Sequence, residues 1–395
     1  MARDAGGRPD ARAGPAAAFA LDAEAGREIV ARRLRAQRLT GAGFARPEDV
    51  VGRLAAVQAQ DYGPAKWSLG ARVAGATDAQ VEGAFASGAI LRTHVLRPTW
   101  HFVLPADIRW LLTATAPRIR ARDARRYAQL GLDGDTLRRS AAALVAALRG
   151  GNRLTRREAA AVLTAAGVGV EGQRLPYLLM AAELDALICS GPRSGKQHTH
   201  MLLEERAPGA RDLPRREALA ELARRFFAGH GPATAKDFAV WATLTLAEAR
   251  AAIEAAGPGL RAEDLGGLRF WASATGPGSG GERLAAPRRP LVHLVQGYDE
   301  IVMGYSETKP LLARPGSPWK PATPPVFRLV VLLDGGVAGF WRPRPKSDRV
   351  IVEVSLLEAF GDPAAAALEA EAARYGAFLG LHADVRLVGS PQRAR

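Results

Sequence analysis

The run Gln58-Ala59-Gln60 sets two carboxamides either side of one small apolar residue. Each carboxamide offers one acceptor and two donors, carries no charge and does not titrate. Such a pair suits holding a water and polarising a bond, not abstracting a proton. Whether both reach one small object depends on the backbone. In a helix, neighbours two apart diverge by about 200° around the axis, whereas in an extended segment they point the same way. Val50, Val51, Leu54 and Val57 recur at helical spacing ahead of the pair, and Asp61, Gly63 and Pro64 are loop-formers behind it. The helix is therefore expected to give out at the glutamines, leaving both amides free to converge. The other reading of the same residues is that they cap that helix and tie down the loop, because buried amides usually satisfy backbone groups.

The surrounding chain must position this pair. Residues 24–39 read as a helix with Ile29, Val30, Leu34 and Leu39 on one side, stopped between Gly41 and Gly43. Pro47 opens the helix that leads to the glutamines, proline being pre-set for a first turn. Residues 67–73 read as a short extended piece. Residues 77–87 read as a helix that Thr77 caps, with Gln80 three positions on. Residues 89–105 alternate apolar and polar on both sides of Arg97-Pro98-Thr99, as in a hairpin. Three helices and a hairpin are the order of a winged helix-turn-helix.

The order recurs. A long helix over 105–129 with an expected kink at Pro117, a helix over 137–148, one capped by Thr155 and one over 173–188 lead to a basic hairpin over 189–206. Helices over 215–228, 235–243 and 246–256 form a third set. A strand-like stretch over 261–274 closes it, with Phe270 and Trp271 expected in the core. The chain is thus expected to hold three degenerate copies of one unit, over 24–105, 106–212 and 213–275, behind a disordered tail over 1–23. A linker over 276–290 leads to a compositionally distinct part over 291–395. There, β-rich runs, an Asp334-Gly335-Gly336 turn and a helix over 363–379 imply α+β structure with mostly antiparallel pairing. The expected fold class is mainly α with a β-rich C-terminal part: tandem winged helix-turn-helix units followed by an α+β, barrel-like subdomain.

Composition narrows the partners. The 395 residues carry a net charge of +14, almost all of the cations being arginine. That balance favours a polyanion, nucleic acid before membrane. A GC-rich coding bias also raises arginine, which accounts for part of the excess. The single cysteine, Cys189, excludes an intramolecular disulfide framework and a cysteine-only metal site, and fits a reducing, cytoplasmic setting. No apolar run approaches the ~18 residues of a membrane span, and the N-terminal stretch lacks the form of a signal peptide. The pair His198 and His200 has no third metal ligand close by in sequence, so no metal is expected.

Five stretches now combine: AVQAQDYGPAKWSLGARV, LRTHVLRPTWHFVLPADIRWLL, GPATAKDFAVWATL, LVQGYDEIVMGYSETKP and DGGVAGFWR, in that order across roughly residues 25–390. Together they resemble the winged-helix DNA glycosylases of the AlkZ/YcaQ-like family, which unhook alkylated bases and interstrand crosslinks. The resemblance implies tandem winged helices with a β-rich C-terminal subdomain. It also implies a catalytic motif of two polar residues around one apolar residue, which falls here on Gln58, Ala59 and Gln60. The second member is an aspartate in the YcaQ-like branch, so Gln60 places the chain with the AlkZ-like branch. The chain departs from the family pattern at Ser306-Glu307-Thr308-Lys309, where an Asp-Arg pair is expected.

On this resemblance the expected activity is a monofunctional DNA glycosylase for alkylated, cationic purines, with bulky adducts and interstrand crosslinks among the candidate lesions. No cofactor and no metal are implied. The expected partner is double-stranded DNA, with no membrane and a monomeric chain. A base alkylated at a ring nitrogen is already a good leaving group. Two glutamines that hold water and stabilise the oxocarbenium-like sugar would then suffice. Lys66, the only lysine near the motif, carries little weight as a Schiff-base nucleophile. Expected DNA contacts are Arg92, His94, Arg97, Trp100 and His101 on the first hairpin and Arg193, Lys196, Gln197 and His198 on the second. Arg342, Arg344 and Lys346 form a basic, proline-stiffened finger. Core packing is the competing reading for Trp100 and His101, and a solvated loop for the second hairpin and the finger. Two other classes remain: a non-catalytic winged-helix DNA-binding regulator, and an interaction scaffold lacking any salt-dependent affinity for DNA.

Overall fold

A computed structural model describes residues 21–276, 289–321 and 328–389. The expected tail over 1–23 and linker over 276–290 fall almost wholly outside the described residues. Helix α1 (Ala23–Ala36) starts where the Asp22 carboxylate accepts from the Ala25 amide, and it buries Ile29, Val30 and Leu34. Pro47 opens α2 (Pro47–Leu54) as expected. That helix stops at Ala55, whose φ of 65° cannot continue a right-handed helix. The chain then runs extended as β1 (Val57–Gln58).

The stretch expected to be extended over 67–73 is instead mostly helical, α3 (Tyr62–Gly70). Ala65 to Gly70 are all buried, so no polar face marks the 3.6-residue period. Helix α4 (Asp78–Ser87) has the expected capping box between Thr77 and Gln80. The hairpin follows as β2 (Leu91–Val95) and β3 (Thr99–Val103). Four helices, not three, precede it, because α3 was hidden. The sheet order is β1-β3-β2, which pairs Gln58 directly with His101.

The next unit comprises α5 (Ile108–Gln129), which runs through Pro117, α6 (Gly134–Leu148), β4 (Leu154–Thr155), α7 (Arg156–Ala165) and α8 (Arg174–Leu184). It closes with β5 (Ile188–Ser194), β6 (Gln197–Leu202) and α9 (Leu203–Arg206), in sheet order β4-β6-β5. The third has α10 (Arg215–His230), β7 (Ala233–Thr234), α11 (Ala235–Trp241), α12 (Leu246–Ala256), β8 (Leu260–Leu265) and β9 (Leu268–Ser273), in order β7-β9-β8. All three sheets share one plan, in which a two-residue strand pairs with the second strand of a hairpin. Phe270 is buried as expected, but Trp271 is only half-buried.

The C-terminal part contains β10 (Val292–Val295), α13 (Glu300–Met303), β11 (Leu329–Leu333), β12 (Gly336–Pro345), β13 (Arg349–Leu356), α14 (Asp362–Leu379) and β14 (His382–Leu387). The strands form one sheet in chain order, antiparallel except for β13 with β14. Strands β10 and β14 remain edges, so the expected barrel is open. One apolar core runs through the first and third units, the first half of α5, part of α8, β5 and α9 in the second unit, and this sheet, and a smaller one lies around Leu144, Leu148, Leu163 and Leu178 in the second unit.

Helix α3 is clamped onto the C-terminal part. Trp67 packs edge-on to Tyr375 and against Phe378, with ring centroids 5.1 and 5.2 Å away. A Cβ at Gly70 would stand 2.5 Å from the Phe378 ring. Gly70→Ala is therefore expected to destabilise the chain by about 1–3 kcal/mol through overpacking. Denaturant unfolding checks this, and an unchanged midpoint would contradict the clamp.

Candidate active site

The glutamines sit at a strand-to-helix corner that the fold builds three times. At the second and third corners a threonine ends the short strand and caps the next helix: Thr155 with Glu158, Thr234 with Asp237. Gln58 occupies that position at the first corner, but α3 begins only at Tyr62, after an Asp61 that makes no side-chain cap. The corner is thus relieved of its capping duty. The expectation that a helix leads up to the pair holds, although the helix ends three residues before Val57. Gln58 is buried and Gln60 exposed. Between them, the Ala59 amide donates to the Trp100 carbonyl at 2.7 Å, and Arg92 Nε donates to the Ala59 carbonyl at 3.0 Å. Both neighbours hold the backbone extended.

The side chains have different partners. Arg97 Nη2 donates to Gln58 Oε1 at 2.9 Å. Gln60 Oε1 meets the Trp100 amide at a long 3.4 Å. Behind Gln58 lies a buried carboxylate. Glu300 accepts from the Gln58 backbone amide at 3.2 Å, from Trp241 Nε1 at 2.7 Å and from His230 Nε2 at 3.1 Å, and stands 3.9 Å from Arg97. Burial alone would raise the Glu300 carboxyl, but the His230 hydrogen bond and the Arg97 charge outweigh it and hold it at about 2. His101 donates from Nδ1 to the Thr99 carbonyl at 2.8 Å and turns Nε2 to Arg97 at 3.4 Å. Burial, and then the Arg97 charge, push His101 down to about 3.

Both shifts have one sign. A depressed Glu300 contributes stability that is complete above its ordinary value and lost as pH falls through about 2. A His101 kept neutral likewise favours the fold above its ordinary value, and that contribution fades as pH falls toward about 3. Neither group changes charge in the folded chain between about pH 6 and 9, and the carboxamides never do. The single-turnover rate of whatever reaction the glutamines serve is therefore expected to be flat over that range. A limb inside it would point to a titrating catalytic group.

The wall behind the pair is built from residues with almost no local sequence signal. Gln296 Nε2 donates to the Gln58 carbonyl at 3.1 Å and to Ser68 Oγ at 2.8 Å. Ser68 Oγ donates to Asp299 at 2.7 Å, and Asp299 takes two bonds from Arg72 at 2.7 and 3.0 Å. The one available signal was an Asp-Glu pair set between the apolar runs of β10 and α13, a context that asks for buried partners.

The expected DNA-contact residues divide. Arg92 is buried, with its guanidinium 4.1 Å from the Trp100 ring. His94 is tied to the buried Glu183 through Nδ1, and its ring lies 4.5 Å from Trp100. Arg97 and His101 face Gln58, so the satisfied-core reading of His101 is the one its geometry matches. Trp100 is half-buried beside Gln60. On the second hairpin, Lys196 and Gln197 are exposed, but Arg193 reaches Glu82 and the Tyr62 ring, and His198 packs on Tyr62. These two are therefore turned toward the first unit rather than outward along the hairpin. Arg342, Arg344 and Lys346 are exposed near the tip of the β12–β13 hairpin, the two arginines sharing Glu353 at 2.8 and 3.1 Å. The backbone amides of Ser306, Glu307 and Thr308 all donate to Asp237, so this segment anchors the third unit. A cleft of about 580 Å³ near Thr234, Lys236, Arg250 and Trp271 includes none of the expected site residues. Among the described residues no helix is long and apolar enough to cross a membrane.

A family model described as DNA glycosylase AlkZ-like matches residues 51–378. Among solved structures, the DNA glycosylase AlkZ of Streptomyces sahachiroi aligns with a TM-score of 0.72 over 92% of this chain and 99% of its own, at 22% identity. At that identity the likeness speaks for the fold. No curated protein matches the chain.

Proposed function

The chain belongs to the AlkZ-like DNA glycosylase family, and from that premise we propose that it hydrolyses the N-glycosidic bond of alkylated, cationic purines in duplex DNA. Gln58 and Gln60 are the catalytic pair. Bulky adducts and interstrand crosslinks belong to the same leaving-group chemistry. The observation that carries this reading is the first strand-to-helix corner. There the cap-forming threonine of the other two corners is replaced by a carboxamide whose side chain bonds to an arginine instead of a helix amide.

In the proposed reaction the C1′–N bond breaks with its electron pair passing to the base. That neutralises the ring cation, and the base departs without protonation. Water oxygen then bonds to C1′, and the proton it sheds goes to solvent. The glutamines hold that water against the sugar, and a carboxamide oxygen of the pair turned toward the sugar offsets its positive charge. Lys66 is held by Asp78 at 2.7 Å and Glu82 at 3.0 Å, which supports hydrolysis without a Schiff base and hence without strand incision. The shared sheet plan supports three tandem winged helices, over 24–105, 106–212 and 213–275, followed by a module over 291–395. Net charge supports a polyanionic partner. Trp100, Lys196, Gln197, Arg342, Arg344 and Lys346 are the exposed or half-exposed candidates to touch DNA.

The test is abasic-site formation on a panel of duplex oligonucleotides bearing N7-alkylguanine, N3-alkyladenine, a bulky adduct or a crosslink. Release of base from any of them supports the reading. Salt-dependent binding with no release from the whole panel would make the chain a DNA-binding regulator instead.

A further inference from the structure

We propose that Arg97, held by Glu300, is a positioning residue that locks the Gln58 carboxamide with its oxygen inward, so that Gln58 serves the reaction as a hydrogen-bond donor. The assignment rests on the reading that Gln58 is catalytic. It follows from which atoms can face one another. A guanidinium has five donors and no acceptor, so the Gln58 atom 2.9 Å from Arg97 Nη2 must be the carbonyl oxygen. The amide nitrogen then points away from Arg97. Nε2 has no hydrogen-bond partner among the described residues and is not fully enclosed, although the residue is only 2% exposed, so its N–H groups remain free to donate.

The arginine is itself fixed. Its side chain is only 16% exposed, and the fully buried Glu300 lies 3.9 Å from Nη2. His101 Nε2 approaches the same nitrogen at 3.4 Å, and the Trp241 carbonyl approaches Nη1 at 3.5 Å. Glu300 also accepts from the Gln58 backbone amide, so one carboxylate sets both ends of the residue. The Arg97 charge has two consequences at the carboxamide. It draws electron density toward Oε1, which makes that oxygen a poor stabiliser of a sugar cation. It also strengthens the Nε2–H groups as donors, because a charge-assisted bond polarises its neighbour. Gln60 has the opposite bias, with an oxygen engaged only at 3.4 Å and a side chain in solvent. The pair therefore divides the work: Gln58 donates to a lone pair of the attacking water, and Gln60 accepts a hydrogen from it.

Gln58→Glu separates donor from acceptor roles. A carboxylate at 58 keeps the bond to Arg97 and presents a second acceptor where the donor stood. The expected result is a folded protein, melting no lower than the native chain, whose single-turnover release of N7-methylguanine from duplex DNA falls about 10²–10³-fold. Release at or above the native rate would overturn the donor assignment. The paired substitution Arg97→Met with Glu300→Gln removes the lock without stranding a buried charge. Its release rate is expected to fall about 10²-fold with the dissociation constant for the lesion duplex within about twofold. A native rate in the paired variant would equally overturn the assignment. No release by the native chain on any lesion would sink the glycosylase reading itself, an outcome distinct from both.

Discussion

Gln58→Ala is expected to slow base release from an alkylated duplex about 10²–10³-fold, the usual loss when a fixed group that positions the attacking water is removed. DNA affinity should stay close to native. The backbone of residue 58 keeps its bonds to Glu300 and Gln296 and its register with His101, none of which involves the side chain. Arg97 keeps Glu300 as counter-charge. Gln60→Ala should cost a similar factor, and the double variant clearly less than the product of the two, because residues that hold one water act as a unit. Single-turnover kinetics with abasic-site detection, run beside equilibrium binding, checks all three. Undiminished release by both single variants would reduce the glutamines to structural amides.

The second large effect is on stability. Asp299→Ala is expected to destabilise the chain by about 3–5 kcal/mol, because it strands a buried arginine. The Arg72 and Asp299 side chains are 1% and 0% exposed and meet through two bonds, at 2.7 and 3.0 Å. Asp299 also accepts from Ser68 and from the Ile301 amide, so its loss frees the first turn of α13, which carries Glu300. The site and the fold thus share one buried anion. Breaking the exposed Arg46–Asp49 pair is the control and should change little. Denaturant unfolding of both variants gives the comparison; equal midpoints would contradict the role given to Asp299.

Local chemistry made much of this molecule legible. Thr77 and Thr155 announced their helices because a capping box lies within four residues. The hairpin of Arg92 and Trp100 showed itself through two-residue alternation, and its strands pair antiparallel there, although burial along them does not alternate. Helix α3 was misread because a helix buried on every side has no polar stripe. The barrel was expected from β-rich runs alone, and composition does not say whether edge strands meet. Arg97, His94 and His101 read as DNA contacts because a basic hairpin beside the motif invites that reading. The buried carboxylates that His94 and Arg97 meet, Glu183 and Glu300, lie 89 or more residues away and leave no mark on local pattern, while His101 bonds to the nearby Thr99 carbonyl. Gln296, Asp299 and Glu300 were missed for the same reason: their service to Gln58 exists only once the C-terminal part has docked.

Everything said of the chemistry depends on the base leaving because it is already charged. The most direct measurement compares single-turnover release of N7-methylguanine, a cation, with release of O6-methylguanine, a neutral lesion of nearly the same size, from otherwise identical duplexes at pH 7. The cationic base should be released and the neutral one at least about 10²-fold more slowly, since no group in the pair can supply the proton it would need. Equal rates on the two duplexes would mean that an acid protonates the leaving base, and two uncharged carboxamides would no longer explain the reaction.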